Sequence, residues 1–176
     1  DKLDSKPEFQ QLRDSCLVLA TWDDHDYGKN DAGKEYSKKE KSKAVFLDFW
    51  QEPENSERRQ RKGVYTSYLF GPEGKRVQLI LLDNRTFRTK LKGTKLGYKP
   101  ITDKNATMLG EAQWQWLETQ LQVPADVRII GTSTQFGTEH NGYEAWANMP
   151  LQQQKMFELI AQTKANGVLF VSGDTH

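Results

Sequence analysis

The stretch from Leu17 to Asp31 places the strongest constraint on how this chain can fold. A short apolar run ends at Trp22, and four consecutive ionisable residues follow it, namely Asp23, Asp24, His25 and Asp26. A short apolar run that leads into a polar, glycine-containing turn predicts a buried strand followed by a loop. In α/β proteins the loops at the carboxyl ends of strands are where ligands bind.

The charge of this loop indicates what it binds. Three carboxylates crowded beside an imidazole repel one another unless a cation neutralises them. Hard cations favour carboxylate oxygens, and histidine adds a nitrogen donor. The stretch therefore indicates a metal site. A solvated acidic turn without an ion is the alternative that this stretch alone leaves open.

Size and composition narrow the class of protein. A chain of 176 residues suits one domain with a sizeable core, and an aromatic content of 11% argues against disorder. The formal net charge of +1 creates no overall field that attracts nucleic acid or an anionic membrane. No apolar run approaches the ~20 residues of a membrane span. Cys16 is the only cysteine, so neither an intrachain disulfide nor a two-cysteine metal site can form.

Lysine and arginine residues are frequent between Lys38 and Lys62, which raises the possibility of a nucleic-acid patch. Glutamates are interspersed among them, and no aromatic residues recur at a spacing suited to base stacking. A solvated helical face is therefore the better explanation, and no nucleic-acid partner is predicted.

Apolar periodicity predicts the order of the helices and strands. Helices are expected over Pro7 to Ser15, Ser37 to Trp50, Thr107 to Leu121 and Pro150 to Lys164. Strands are expected over Leu17 to Trp22, Val64 to Phe70, Arg76 to Leu82, Val127 to Ser133 and the segment VLFVS after Gly167. The second and third strands form a hairpin, and the later ones alternate with helices at the spacing of βα units. The sequence thus predicts an α/β fold, with a mixed sheet flanked by helices and a single domain spanning residues 1–176.

Polar side chains that suit metal binding or catalysis follow several of these strands. They lie in residues 23–31, 135–140 and 174–176, and a fourth strand ends in Asp83 and Arg85. Strand ends at one edge of a sheet converge in space, so we expect one shared site. The histidines His25, His140 and His176 all fall in these loops. Asp174 and His176 are two residues apart, which places both side chains on one side of an extended segment.

Six sequence blocks carry a resemblance to a known family. In chain order they read WDDHDYGKNDAGKEY, FLDFW, GVYTSYLFG, LLDNRTFR, MLGEAQWQWLE and FVSGDTH. They resemble the alkaline phosphatase D (PhoD-like) family of the calcineurin-like metallophosphoesterase superfamily. The resemblance implies part of an αββα sandwich and metal-dependent hydrolysis of small phosphate mono- or diesters. It also implies iron and calcium as the metals, with zinc or manganese as alternatives, and export from the cytoplasm.

The same resemblance implies roles for individual residues. Asp24 stands where the superfamily has a metal-binding asparagine. His25 takes the place of the histidine that stabilises the transition state or protonates the leaving oxygen, and Asp26 would orient it. Asp174 and His176 match the later Gly-His-x-His block of the superfamily, which makes them candidate metal ligands.

Two further residues complete the predicted site. Arg85 is a candidate phosphate clamp, because a guanidinium group can bond two oxygens of one phosphate. An ion pair with Asp83 or another acid is the alternative for Arg85. His140, near Gln135, falls close to the position of a further superfamily ligand, and we expect it to help to bind substrate.

The superfamily's opening metal-binding blocks have no counterpart in Asp1 to Ser15. We therefore expect this chain to be an internal part of a longer catalytic domain, with only some of the ligands. A non-catalytic calcium-binding module that binds carbohydrate or lipid is the alternative function, and it predicts no role for His25 or Arg85. A nuclease of the same superfamily is less favoured, because no concentrated basic groove is present. The oligomeric state is left open.

Overall fold

A computed structural model describes residues 2–94, 97–140 and 142–173. These residues form the helices α1 (Pro7–Ser15), α2 (Asp24–Tyr27), α3 (Lys39–Phe49), α4 (Glu57–Gln60), α5 (Gly110–Leu121) and α6 (Pro150–Thr163). They also form the strands β1 (Thr66–Phe70), β2 (Val77–Leu81), β3 (Val127–Thr132) and β4 (Val168–Ser172). A short 3-10 turn spans Trp146–Asn148. None of the helices in this described part is long and apolar enough to cross a membrane.

The four strands form one mixed sheet in the order β1-β2-β3-β4. β1 runs antiparallel to β2, with Thr66 opposite Leu81, as the predicted hairpin requires. β2, β3 and β4 are parallel to one another, and Ile129 pairs with both Leu79 and Leu169. The predicted α/β class and the mixed sheet with flanking helices are confirmed.

Helices α5 and α6 make the two crossovers between the parallel strands, as a βα arrangement requires. Each presents apolar residues three positions apart, Trp114 and Leu117 on α5 and Met156 and Leu159 on α6. These side chains pack in one buried cluster with the sheet residue Ile130. Burial of this helical stripe fixes both helices against the sheet and orients the strand ends.

A second apolar cluster supports the acidic segment. Trp22, Tyr27, Phe46 and Leu47 are buried together, so α3 packs against the chain on both sides of the acidic residues. The rings of Trp22 and Tyr27 meet edge to face with centroids 5.1 Å apart. Aromatic side chains therefore pack against the short helix α2 and support it.

The prediction of a first strand over Leu17 to Trp22 is wrong. This segment joins no strand ladder among the described residues, and Leu17 is 70% exposed. Two isolated hydrogen bonds hold this segment. The Thr21 hydroxyl donates to the Leu82 carbonyl at 2.7 Å, and the Arg58 guanidinium donates to the Ala20 carbonyl at 2.9 Å. An apolar run favours an extended backbone, but a strand also needs the backbone of a neighbour, and periodicity does not supply one.

Candidate functional site

The carboxyl ends of β2, β3 and β4 lie at one edge of the sheet because these strands are parallel. The Thr21–Leu82 hydrogen bond brings the acidic segment to the same edge. A cavity of about 300 Å³ opens there, and residues of the acidic segment and of both later strand ends line it, including Asp23, Asp26, Ser133, Ser172 and Gly173. The structure thus brings the acidic segment and the ends of β3 and β4 together at this edge, and Ser133, not the predicted loop residues 135–140, lines the cavity.

The turn after β2 is built on Asp83. Its buried carboxylate accepts hydrogen bonds from the backbone N–H groups of Val64, Arg85 and Thr86, each at 2.9 Å. The Thr86 hydroxyl adds a fourth bond at 2.6 Å. An aspartate that bonds the backbone two and three residues further on stabilises a turn. Asp83 therefore serves the backbone and leaves the Arg85 side chain free for other partners.

Arg85 bridges two carboxylates inside the protein. Its completely buried guanidinium donates from Nε to Asp23 and from Nη1 to Glu144, both at 2.8 Å, and Nη2 contacts both acids as well. Burial lowers the pKa of Arg85, but the charges of Glu144 and Asp23 outweigh it and hold the pKa above its usual value. Burial has the opposite effect on an acid: it raises the pKa of Asp23, and Arg85 opposes that rise.

A second buried arginine shares Glu144. Arg88 pairs with the Glu144 carboxylate through Nη1 and donates from Nη2 to the Asp31 carbonyl at 2.6 Å. Burial lowers the pKa of Arg88, and Glu144 opposes the shift. The group stays charged, because arginine is not deprotonated in proteins. One carboxylate thus holds two buried guanidinium groups, and we call Asp23, Arg85, Glu144 and Arg88 the buried charge network.

Asp31 lies next to this network in a backbone conformation with a φ of +52°. Its carboxylate accepts hydrogen bonds from the Tyr98 hydroxyl and the Asn30 amide, both at 2.7 Å. Its backbone N–H donates to the Asp24 carboxylate at 2.9 Å. Burial and the bond to Asp31 both raise the pKa of Tyr98. These contacts fix where the Asp24 and Asp31 carboxylates lie.

Three carboxylates are close enough to share a metal ion. One oxygen from each of Asp24, Asp31 and Glu144 lies within 4.8 Å of the others. With Asp23, the site has four carboxylates against the two guanidinium groups, which leaves two formal negative charges. An all-oxygen donor set with that charge suits a hard divalent cation. Glu144 already accepts from both arginines, so Asp24 and Asp31 are the better donors.

The predicted catalytic residues of the acidic segment occupy α2. The side chain of His25 is 84% exposed, and its Nε2 lies 4.0 Å from the Asp24 carboxylate. Asp26 is exposed, and its carboxylate accepts the backbone N–H of Asp23 at 3.2 Å, which caps the start of α2. The role predicted for Asp26, to orient His25, stays a prediction.

The other predicted residues have different positions. Arg85 forms the ion pair that was the alternative to a phosphate clamp, but with Asp23 and Glu144 and not with Asp83. His140 is exposed in the loop that also carries Glu144. Asp174 and His176, the predicted later ligands, lie outside the described residues.

Sequence reasoning missed Glu144, Arg88 and Tyr98 as members of the site. Glu144 was one of several polar residues after β3, and nothing in the local pattern distinguished it. Arg88 lies three residues after Arg85 in the block LLDNRTFR. The second arginine so close to a predicted site residue was the signal that could have identified Arg88. Tyr98 stands in a long loop whose pairing with Asp31 spans 67 residues.

The fold and this edge define an α/β protein with an acidic, metal-capable site where parallel strands end. The model of the PhoD-like phosphatase family matches residues 2–176, so the chain belongs to that family, whose members are metal-dependent phosphatases. A solved chain described as "Structure of PhoD" is similar with a TM-score of 0.63 at 23% identity, over 89% of this chain. That likeness shows the fold, and this chain spans 34% of the solved chain's length. A comparison with the curated proteins finds no match.

Proposed function

We propose that the full-length protein containing this chain hydrolyses phosphate mono- or diesters in a metal-dependent reaction of the alkaline phosphatase D type. The observation that carries the proposal is the edge cavity of about 300 Å³, which Asp23 and Asp26 line, with Asp24 and His25 between them in the chain. Asp24 is also one of the three carboxylates that could share a metal ion. Membership of the PhoD-like phosphatase family supports it. The substrates are accordingly small phosphate esters, and export from the cytoplasm stays a prediction.

Asp24 and Asp31 would hold the metal, and the two arginines offset the charges of Glu144 and Asp23. Iron, zinc or manganese held there would polarise a phosphoryl oxygen and lower the pKa of a water molecule so that hydroxide is available near neutral pH, whereas calcium would act mainly through its charge. The oxygen donors favour calcium among the predicted ions, whereas iron rests on the family resemblance, and zinc or manganese are further candidates. Asp174 and His176 stay predicted as additional ligands.

The remaining roles follow from exposure and charge. His25 is free to turn towards the ester and to donate a proton to the leaving oxygen or stabilise the charge that develops there. Arg85 is fully buried and holds Asp23 at the wall of the cavity. For Arg85 to clamp a phosphate, its ion pair with Asp23 must open, so that one anionic partner replaces the other. His140 is exposed in the loop that also carries Glu144, and we propose it as a substrate contact.

The test measures turnover of p-nitrophenyl phosphate and bis-p-nitrophenyl phosphate by the full-length protein, stripped of metal and then supplied with calcium, iron, zinc or manganese. We expect metal-dependent hydrolysis that falls about 10²- to 10⁴-fold in His25→Ala, the range for loss of a general acid. Asp24→Asn should weaken metal binding and activity together, whereas Glu73→Gln, in the exposed turn between β1 and β2, should change neither.

The ratio of the two substrates would separate monoesterase from diesterase activity. Metal binding without turnover of either ester would contradict the proposal. It would favour the calcium-binding module, in which His25 has no task.

A further inference from the structure

A second cavity, of about 510 Å³, opens along helix α3. Its volume falls in the range of roughly 300–1,000 Å³ that small-molecule sites occupy. Most of its lining is apolar and aromatic, with Tyr36, Val45, Phe46, Phe49 and Trp50. The rings of Phe49 and Trp50 meet edge to face with centroids 5.0 Å apart, and Phe46 lies 6.3 Å from Trp50. Phe9 of α1 already stacks on Phe49 and meets Trp50 edge to face, with centroids 5.9 and 6.1 Å away. The parts of these rings that line the cavity can contact a further aromatic ring.

The charged part of the lining comes from the other end of the same helix. Lys38 and Lys41 are exposed and line the cavity near the start of α3, and Val45 and Phe49 follow at spacings of four residues. Residues three and four apart share one face of a helix. One face of α3 therefore runs from cationic to apolar, which suits a ligand with an anionic group and an aromatic group.

The cavity adjoins the candidate site. Asp26 lines both this cavity and the edge cavity of about 300 Å³, and His25 directly precedes it in α2. An ester whose phosphate lies near His25 can therefore extend one substituent past Asp26 into the aromatic lining. Lys38 and Lys41 would offset the repulsion between that phosphate and the acidic segment.

We propose that this cavity binds the aromatic ester substituent of a phosphate ester, an inference that rests on the proposed function. The lining favours a flat aromatic group, because Val45, Phe49 and Trp50 present apolar and aromatic surface to it. The phosphate charge is met by Lys38 and Lys41 at the cationic end of α3.

The first experiment compares kcat/KM for benzyl phosphate with methyl phosphate, and for dibenzyl phosphate with dimethyl phosphate, in the full-length protein by phosphorus NMR. Benzyl alcohol and methanol are leaving groups of similar acidity, so the ratio reports on binding of the ring. We expect a preference of about tenfold for the benzyl esters, as one well-packed aromatic contact provides.

The informative variant is Val45→Glu, which places a carboxylate in the cavity at a position that is 69% exposed and therefore tolerant of change. It should abolish the preference for the benzyl esters, because the carboxylate stands among the side chains that contact the ring. Leu151→Glu, on α6 at a position that is 44% exposed, is the matched control and should keep the preference.

A second measurement does not depend on turnover. Calorimetry with phenylphosphonate and methylphosphonate, which no esterase hydrolyses, should show tighter binding of the phenyl compound in wild type and in Leu151→Glu but not in Val45→Glu. Lys41→Gln should weaken both compounds alike, because Lys41 meets the phosphonate charge.

The outcomes separate the two proposals. Equal use of benzyl and methyl esters, or a preference that survives Val45→Glu, overturns the aromatic site and leaves hydrolysis intact. If no ester is turned over, the proposed function fails, and calorimetry alone decides whether the cavity selects the ring. Unfolding of Val45→Glu, with no phenyl selectivity in wild type, would mean that protein and not ligand covers this face.

Discussion

Two neighbouring parts of the candidate site are built in opposite ways. In the buried charge network, the side chains of Arg85, Arg88 and Glu144 are at most 1% exposed, and each charge has an opposite partner. In helix α2, two residues after Asp23, the side chain of His25 is 84% exposed. Buried ion pairs and an exposed imidazole thus stand two residues apart in the chain, at Asp23 and His25.

The difference separates architecture from chemistry. Buried charges lose several kcal/mol of solvation each, so a network of this kind persists only while every member is paired. Exposed groups pay no such cost and can exchange water for a ligand. We infer that the network holds the acidic segment in place, and that α2 is where a substrate meets the protein.

The largest effect is expected from Glu144→Ala, which breaks the buried half. Two buried guanidinium groups would lose their shared carboxylate, so the free energy of unfolding should fall by about 3–5 kcal/mol. Urea denaturation of the full-length protein measures it. Glu139→Ala, an exposed glutamate of the same loop, should stay within about 0.5 kcal/mol of wild type. If Glu144→Ala lowers the free energy of unfolding by less than about 1 kcal/mol, the arginines find other partners. The buried network would then differ little from the exposed helix α2 in its contribution to stability.

An intermediate effect is expected at Tyr27, the buried residue of α2. Burial raises the pKa of Tyr27, and the nearby charges of Asp83 and Glu35 add to the shift. Its hydroxyl donates to the Gly33 carbonyl at 3.0 Å. The phenol therefore ionises more easily in the unfolded chain, and its stabilising contribution is fully present below about pH 10 and declines above it, by about 1.4 kcal/mol per pH unit.

Tyr27→Phe should remove this share of the alkaline decline and cost about 1 kcal/mol at neutral pH through the lost hydrogen bond. Denaturant midpoints measured between pH 8 and about 11 test both points, with Tyr68→Phe on β1 as the control that retains the decline. An alkaline slope unchanged by Tyr27→Phe would show that other groups cause the loss.

The smallest effect on stability is expected from the exposed half. His25→Ala should change the free energy of unfolding by less than about 0.5 kcal/mol, because the side chain makes little contact with the protein. Asp26→Ala should cost about 0.5–1 kcal/mol, since it removes the cap on the Asp23 N–H. Thermal unfolding of both variants, alongside their activities, tells chemical roles from structural ones. If His25→Ala lowers the free energy of unfolding by more than about 1 kcal/mol, the imidazole has a structural role.

The sequence by itself determined the local elements and their class. The helices α1, α5 and α6 and the β1–β2 hairpin lie within a few residues of their predicted bounds, because apolar periodicity and turn residues act over short distances. The family also followed from short blocks in their order, and its model matches residues 2–176. Asp83 lies at the edge that the convergence of parallel strand ends predicts, whereas the acidic segment follows no strand and reaches that edge through the Thr21–Leu82 hydrogen bond.

Only the tertiary structure decided the partners of charged groups and the fate of Leu17 to Trp22. Beside Asp83, Arg85 had two equally good interpretations, and the structure pairs it with Asp23 and Glu144, 62 and 59 residues away. Glu144 carries no local signal, because its environment is made by arginines from a distant turn. An apolar run cannot specify a strand without a neighbouring backbone. The partner of a charged side chain is likewise not determined by local sequence, because it depends on which groups the fold buries together.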